Sequence, residues 1–232
     1  MGYARVHTLQ PRYDHHPHEP HNTHHGHTDG TAGRAADGVG GPSHAASSAR
    51  RATSPAAQHP GATLIEVQAD VSPGLVGTSI IGRPNQTIRE TADRVRMASL
   101  NSALDWPSTR RITILLSPAD LPKSGAYYDL PMALAVLAAA GQVEPAALQD
   151  TVFAGELGLD GFLRPTRGIE AIARAAASAG FGRVVVPEVD APELPDLLGP
   201  QVIALPSLAA VVAMLREEPS VDESPIRTFR DP

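Results

Sequence analysis

The chain has 232 residues, 25 acidic against 19 basic side chains, a net charge of −6 and only 4% aromatics. That length suits one domain with tails, its core must come from Ala, Val, Leu and Ile, and no global field attracts nucleic acid, leaving only local basic patches. There is no cysteine, which excludes a thiol nucleophile, a disulfide framework and a cysteine zinc site and fits a reducing compartment, so a cytoplasmic location is expected. Arg or Gly interrupts every apolar run before membrane-spanning length, and the polar N-terminus lacks the apolar core of a signal peptide. Lys123 is the only lysine, and every histidine lies at or before His59. The expected folded part, Gly61 to Arg216, therefore contains no histidine.

Met1 to Thr8 reads as a short strand. Leu9 to Pro60 is rich in His, Gly, Ala, Ser and Pro, and buries too little apolar surface to offset its ordering entropy, so it is expected to be a disordered insertion. It carries a dense imidazole tract, His15, His16, His18, His21, His24, His25 and His27. Such a tract chelates Ni²⁺, Cu²⁺ or Zn²⁺ weakly; the plainer reading is a solvated arm with incidental metal affinity.

Order resumes near Gly61. Ile65, Val67, Ala69 and Val71 alternate with polar residues, the period of a half-buried strand. Ser72-Pro73-Gly74 turns the chain, and Leu75 to Ile81 is expected to return as a second strand. Asn85 or Thr87 caps a helix from about Gln86 to Ala103, with Ile88, Ala92, Val95 and Ser99 on its buried face. Arg89 with Asp93 and Glu90 with Arg94 are predicted i,i+4 pairs on the exposed face. Arg89, Arg94, Arg96, Arg110 and Arg111 form either a phosphate-binding patch or a solvated, salt-bridged surface.

Arg111 to Ser117 predicts a buried strand, followed by an ordered loop and a helix from Leu130 to Ala140. Asp129 is placed as its cap, Pro131 in its first turn and Gly141 past its end. Thr151 to Gly158 reads as a strand, with a hairpin at Asp160-Gly161 and a return through Phe162 to Pro165. A helix from Gly168 to Ala179, a strand from Arg183 to Val186, a turn or short helix over Asp190 to Leu198, a strand from Val202 to Leu205 and a helix from Leu208 to Arg216 complete the unit. The tail, 217–232, is charged and proline-bearing, and is expected to be flexible.

Two runs carry a family resemblance. The first is Leu116-Ser117-Pro118-Ala119-Asp120-Leu121-Pro122-Lys123 followed by Tyr128-Asp129-Leu130-Pro131; the second is Gly155-Glu156-Leu157-Gly158-Leu159-Asp160-Gly161. Both closely resemble the N-terminal, ChlI-like domain of the YifB/ComM proteins, the magnesium-chelatase-like AAA+ ATPases, and more remotely the Lon protease proteolytic domain. The resemblance covers Met1 to Thr8 and roughly Gly61 to Arg216. It implies an α/β (α+β) fold, ribosomal S5 domain 2-like, as a single domain with a mixed sheet and helical crossovers. It singles out Pro122, Lys123, Asp129, Gly155 and Glu156 as motif residues. The family's opening strand runs directly into a second, so the insertion at residues 9–60 is expected to disturb the first sheet edge.

The reactive groups of the relatives do not carry over. Against the Lon loop, Tyr127 stands where the nucleophilic serine would be, and Ile172 where its lysine base would be; a serine needs such a base to attack. Ser124 has no lysine other than its neighbour Lys123. A P-loop needs glycines before its lysine, and Lys123 follows Leu121-Pro122. Gly155-Glu156-Leu157-Gly158 precedes a hairpin, not the helix that a dinucleotide fingerprint requires. Lys123 is read as exposed and Asp129 as a cap, with phosphate or carboxylate binding by Lys123 as the alternative.

The expectation is a non-enzymatic accessory or assembly domain without the AAA+ module, a short form, fragment or decayed copy of a DNA-processing family linked to branch migration in natural transformation. ATP and Mg would enter only with a separately supplied AAA+ module. Partners are that module, a homo-oligomer or DNA, and no membrane. The alternatives are a stand-alone interaction or metal-handling protein using the His-rich arm, and a Lon-like peptidase.

Overall fold

The computed structural model describes residues 2–11, 58–59, 62–194 and 199–217. Contacts divide the chain into one unit, Met1–Arg12 with Pro55–Pro232, and a second, Tyr13–Ser54. The second unit, the histidine tract within it, residues 195–198 at the end of the expected turn or short helix, and residues 218–232 lie outside the described residues.

Among the described residues, ten strands and four helices follow in chain order: β1 Gly2–Pro11, β2 Gln58–His59, β3 Ala62–Ser72, β4 Gly77–Ile81, α1 Gln86–Asn101, β5 Arg111–Ser117, α2 Asp129–Ala139, β6 Thr151–Phe153, β7 Glu156–Leu157, β8 Leu163–Arg164, α3 Ile169–Ala179, β9 Arg183–Pro187, β10 Gln201–Leu205 and α4 Leu208–Glu217. The main sheet runs β10-β9-β6-β1-β3-β5-β4, with β2 paired to β3, while β7 and β8 form a separate ribbon. It is a mixed α/β architecture: β1 is antiparallel to β3, β3 is antiparallel to β5, and the other steps along the main sheet are parallel. No helix among the described residues is long and apolar enough to cross a membrane.

The opening strand departs most from expectation. β1 continues past Thr8 to Pro11, and Gln58–His59 adds a short strand, so the irregular stretch does not fill 9–60. β1 pairs with β3 without a break from Gly2↔Val71 to Pro11↔Ala62, and with β6 through His7↔Val152. It is an interior strand, and the insertion disturbs no edge. The reason is physical: the entropy of closing a loop grows only with the logarithm of its length, so ten paired residues tolerate a long excursion between them. The alternation expected of β3 is present, with Ile65, Val67 and Ala69 essentially inaccessible.

The second departure is β4. It begins at Gly77, and it does not return against β3. β5 lies between them, and β4 runs parallel to β5 as the last strand of the sheet. The chain needs α1 to reach β5 from β4, which gives a parallel crossover in place of the expected hairpin. Asn85 caps α1, its side chain accepting from Ile88 N–H at 3.0 Å.

α2 is buried along its whole length and packs against β1, β3 and α1. Its sequence, Asp-Leu-Pro-Met-Ala-Leu-Ala-Val-Leu-Ala-Ala, is apolar on every face after the first residue, as a fully enclosed helix requires. The expected strand over Thr151 to Gly158 splits at Ala154-Gly155. β6 stays in the main sheet, and β7 turns away to pair with β8 through the predicted Asp160-Gly161 hairpin.

Candidate functional site

The two motif runs, far apart in sequence, meet around a short 3₁₀ turn at Ala126–Tyr128. The loop after β5 is tied down from two sides. Lys123 N–H donates to Arg83 carbonyl at 3.2 Å and Asn85 N–H to Lys123 carbonyl at 3.1 Å. Gln10, at the end of β1, donates to Pro122 carbonyl at 3.1 Å and accepts from Tyr128 hydroxyl at 2.7 Å. Arg83 adds a bond to Asp120 carbonyl at 2.8 Å. Gly125 has φ +111°, and a Cβ there would lie 2.3 Å from the Tyr127 ring, so only glycine permits this turn.

Lys123 is not exposed. It is 1% accessible, and its ammonium donates to the Pro118 carbonyl. Burial lowers its pKa from 10.5 to about 8, Asp120 opposing and Arg83 assisting. The loop folds back on its own lysine, which removes the charge from solvent and from any ligand.

Asp129 is not the cap either. Tyr128 occupies the cap position of α2. The Asp129 carboxylate is inaccessible and accepts from Thr91 Oγ1 at 2.8 Å, Arg94 Nε at 3.0 Å, Arg94 Nη2 at 3.0 Å and Leu157 N–H at 3.1 Å. It thus joins α1, α2 and β7. Burial pushes its carboxyl above the ordinary carboxylate value, while the bonds from Arg94, Thr91 and Leu157 pull against that shift. Gly155 completes the junction: its N–H donates to Tyr127 carbonyl and its carbonyl accepts from Leu130 N–H. Glu156 is half-buried, and its N–H donates to Thr166 Oγ1 at 3.1 Å. Pro122 is exposed.

The five arginines separate. Arg94 leaves the set for Asp129, and Glu90 accepts from Gln86 instead of pairing with Arg94. Arg89, Arg96 and Arg110 line one groove of about 400 Å³ together with Asp93, while Arg111 is exposed at the start of β5. Among the described residues, Arg89, Arg96, Arg110 and Arg111 make no ion pair, so the expected Arg89–Asp93 pair does not form.

The two positions read against the Lon dyad are both buried. Tyr127 is 2% accessible and Ile172 is inaccessible. The exclusion of histidine needs correcting, because His7 lies inside the folded sheet. Its Nε2 is 3.8 Å from Glu66, and its ring lies tilted at 53° to that of Phe181 with centroids 5.4 Å apart. Its buried Nδ1 has no hydrogen-bond partner among the described residues, so no serine hydroxyl there completes a triad. Burial lowers its pKa, against the pull of Glu66. No group of three His, Cys, Asp or Glu residues is arranged to hold a metal among the described residues. His15, His16, His18, His21, His24, His25 and His27 lie outside them.

Sequence reasoning missed Thr91, Gln10 and the Leu157 N–H. Thr91 was legible: Ile88, Thr91, Val95 and Ala98 recur at helical spacing and are all buried, and Arg94 sits three residues after Thr91. The other two are fixed only by tertiary contact.

A family model described as subunit ChlI of Mg-chelatase matches residues 67–190. An uncharacterized protein of Mycobacterium tuberculosis is 39% identical over 153 residues, 66% of this chain and 30% of that protein. The uncharacterized protein YifB of Escherichia coli is 39% identical over 151 residues, 65% of this chain and 29% of its own. The competence protein ComM of Haemophilus influenzae is 41% identical over 108 residues, 47% and 21%. The Lon protease of Roseiflexus castenholzii is 28% identical over 143 residues, 59% and 18%. The chain therefore spans less than a third of the length of each of these relatives.

Proposed function

Because the chain belongs to the family of subunit ChlI of Mg-chelatase, we propose that its folded unit is a non-catalytic domain serving the assembly or regulation of a magnesium-chelatase-like AAA+ machine. The observation that supports this most is the state of the inherited motif. The loop that carries a nucleophile in Lon-type sites here holds Tyr127 in the core, and the position of its base holds Ile172, also in the core. A reacting group must reach its substrate, and both positions are buried: the Tyr127 phenol has no opening and Ile172 has no proton acceptor.

Lys123 and Asp129, the charged residues of the motif, hold the scaffold together. Lys123 is bonded to the loop that contains it, and Asp129 links three elements. Ser124 is exposed and, among the described residues, its hydroxyl bonds to no base, while the ammonium of Lys123 turns to Pro118. ATP and Mg belong in this reading to an AAA+ module outside residues 61–216, and the domain acts by packing against that module or within a ring of copies.

Three assays on the purified chain test this. Co-elution with a separately produced magnesium-chelatase-type AAA+ module is expected, with no ATP hydrolysis by the chain alone and no cleavage of casein. Casein cleavage that disappears in Ser124→Ala would restore the peptidase reading, and failure to associate with any such module would remove the assembly role.

A further inference from the structure

The main sheet stops at β4. Gly77–Ile81 pairs with β5 along one side, and among the described residues nothing pairs with the other. All five residues are exposed or half-buried. Exposed edges in stable folds are guarded by a lysine, a proline, a bulge or an inward charge, because their unsatisfied N–H and C=O groups template another strand. Gly-Thr-Ser-Ile-Ile has none of these residues.

Two further features lie along the same edge. Leu75 is 91% exposed, Val76 59% and Ile81 50%, which places apolar surface at both ends of the strand. The groove lined by Gly77 and Thr78 of β4 also takes in Arg89, Arg96 and Arg110, with Asp93 as its one carboxylate. Three guanidiniums that make no ion pair among the described residues, against one carboxylate, form a local positive patch on a chain whose total charge is −6.

Each feature narrows the ligand differently. The backbone edge alternates donors and acceptors, which an extended polypeptide matches. The apolar ends suit aliphatic side chains. The guanidiniums suit carboxylates. A phosphate backbone satisfies the arginines alone and meets the edge carbonyls as like dipoles. A second copy joined edge to edge by a two-fold runs antiparallel, which sets each arginine group against the other copy's Ile80-Ile81 end and offers it no carboxylate. We propose that β4 is a docking edge for an extended acidic segment of a partner protein, which adds as a further strand and places carboxylates against Arg89, Arg96 and Arg110. This goes beyond the accessory-domain reading and holds whether or not the partner carries an AAA+ module.

The test uses the full chain and a fluorescein-labelled peptide that alternates Glu or Asp with Val or Ile, read by fluorescence anisotropy. Binding is expected, weakened about tenfold in the triple variant Arg89→Gln, Arg96→Gln, Arg110→Gln, the sum expected for three exposed ion pairs. The same peptide with alternate amides N-methylated keeps its charge but cannot pair as a strand, and is expected to lose binding. Ser79→Lys, which guards the edge against a second copy but adds a cation that suits carboxylates, is expected to keep peptide binding and the melting temperature. Equal binding of the methylated and parent peptides would reduce the effect to charge attraction and overturn strand addition. Equal binding by the triple variant would remove the arginines. Tighter, arginine-dependent binding of a duplex DNA oligonucleotide would reassign the groove to phosphate, and self-association abolished by Ser79→Lys would reassign the edge to a second copy.

Discussion

Lys123 is the only lysine of the chain, so its ionisation can be read in isolation, and its environment gives a large signal. In the folded state its pKa is about 8, against 10.5 in the unfolded chain. Between those values the unfolded state binds more protons than the folded one, so folding stability rises with pH across that window and is penalised below it. At about 1.4 kcal/mol per pH decade the full difference is about 3 kcal/mol, of which about 2.5 kcal/mol develops between pH 7 and 10. Lys123→Met removes the titration. It also leaves the Pro118 carbonyl without the ammonium, at a cost of about 1–2 kcal/mol. The variant should therefore exceed the wild type in stability by about 1–2 kcal/mol at pH 7, and fall below it by up to about 1 kcal/mol at pH 10. Urea unfolding of both proteins at half-unit pH steps measures the difference. Tyr128, whose pKa is raised by burial, lowers stability at higher pH in both proteins and cancels. A single labelled lysine ¹³Cε resonance titrating near 8 gives the same quantity directly. A stability difference that stays flat from pH 7 to 10 would refute the claim that a charged lysine is held in the interior.

Asp129→Asn leaves Arg94 without its carboxylate at a site where Asp129 is inaccessible, and should cost about 3–5 kcal/mol in urea unfolding. Arg94→Met should cost a comparable amount, and the double variant less than the sum of the two, which a double-mutant cycle measures. His7 has a pKa lowered by burial, so the unfolded state takes up its proton first as pH falls. Its contribution is present at neutral pH and is lost as pH falls through the unfolded value near 6.5, and His7→Phe should flatten that part of the stability curve. Joining Pro11 to Ala62 through a two-residue Asn-Gly turn, in place of residues 12–61, should stabilise the fold by about 3 kcal/mol through reduced loop entropy, less what the short β2 ladder contributes, visible as a higher urea midpoint.

Local chemistry made most elements legible. The alternation from Ile65 to Val71, the Asn85 cap, the all-apolar run of α2 and the Asp160-Gly161 hairpin each follow from the side chains in a short window. Pairing was less so. Nothing within Leu75 to Ile81 reveals that β5 takes the place beside β3, because the choice between return and crossover depends on where α1 carries the chain. The strand length of β1 was hidden for a related reason. Leu9, Gln10 and Pro11 look like the start of the polar insertion, yet Leu64, Thr63 and Ala62 sit opposite and complete the ladder.

The charged motif residues show how far sequence reasoning reaches. Lysine is rarely buried and aspartate before a helix usually caps it, so sequence alone puts Lys123 at the surface and Asp129 at a cap. Here the glycine at 125, the carbonyl of Pro118 and the backbone bonds to Arg83 and Asn85 close the loop around Lys123. Thr91, Arg94 and Leu157 surround Asp129 with donors from other elements. A buried charge is tolerated only where such donors converge, and convergence is a property of three-dimensional packing that no window of residues contains. The same burial gives the motif a structural task, since the Asp129 carboxylate holds α1, α2 and β7 in register. The docking surface proposed above lies at the opposite extreme of accessibility, on β4 and the three arginines beside it that make no ion pair among the described residues.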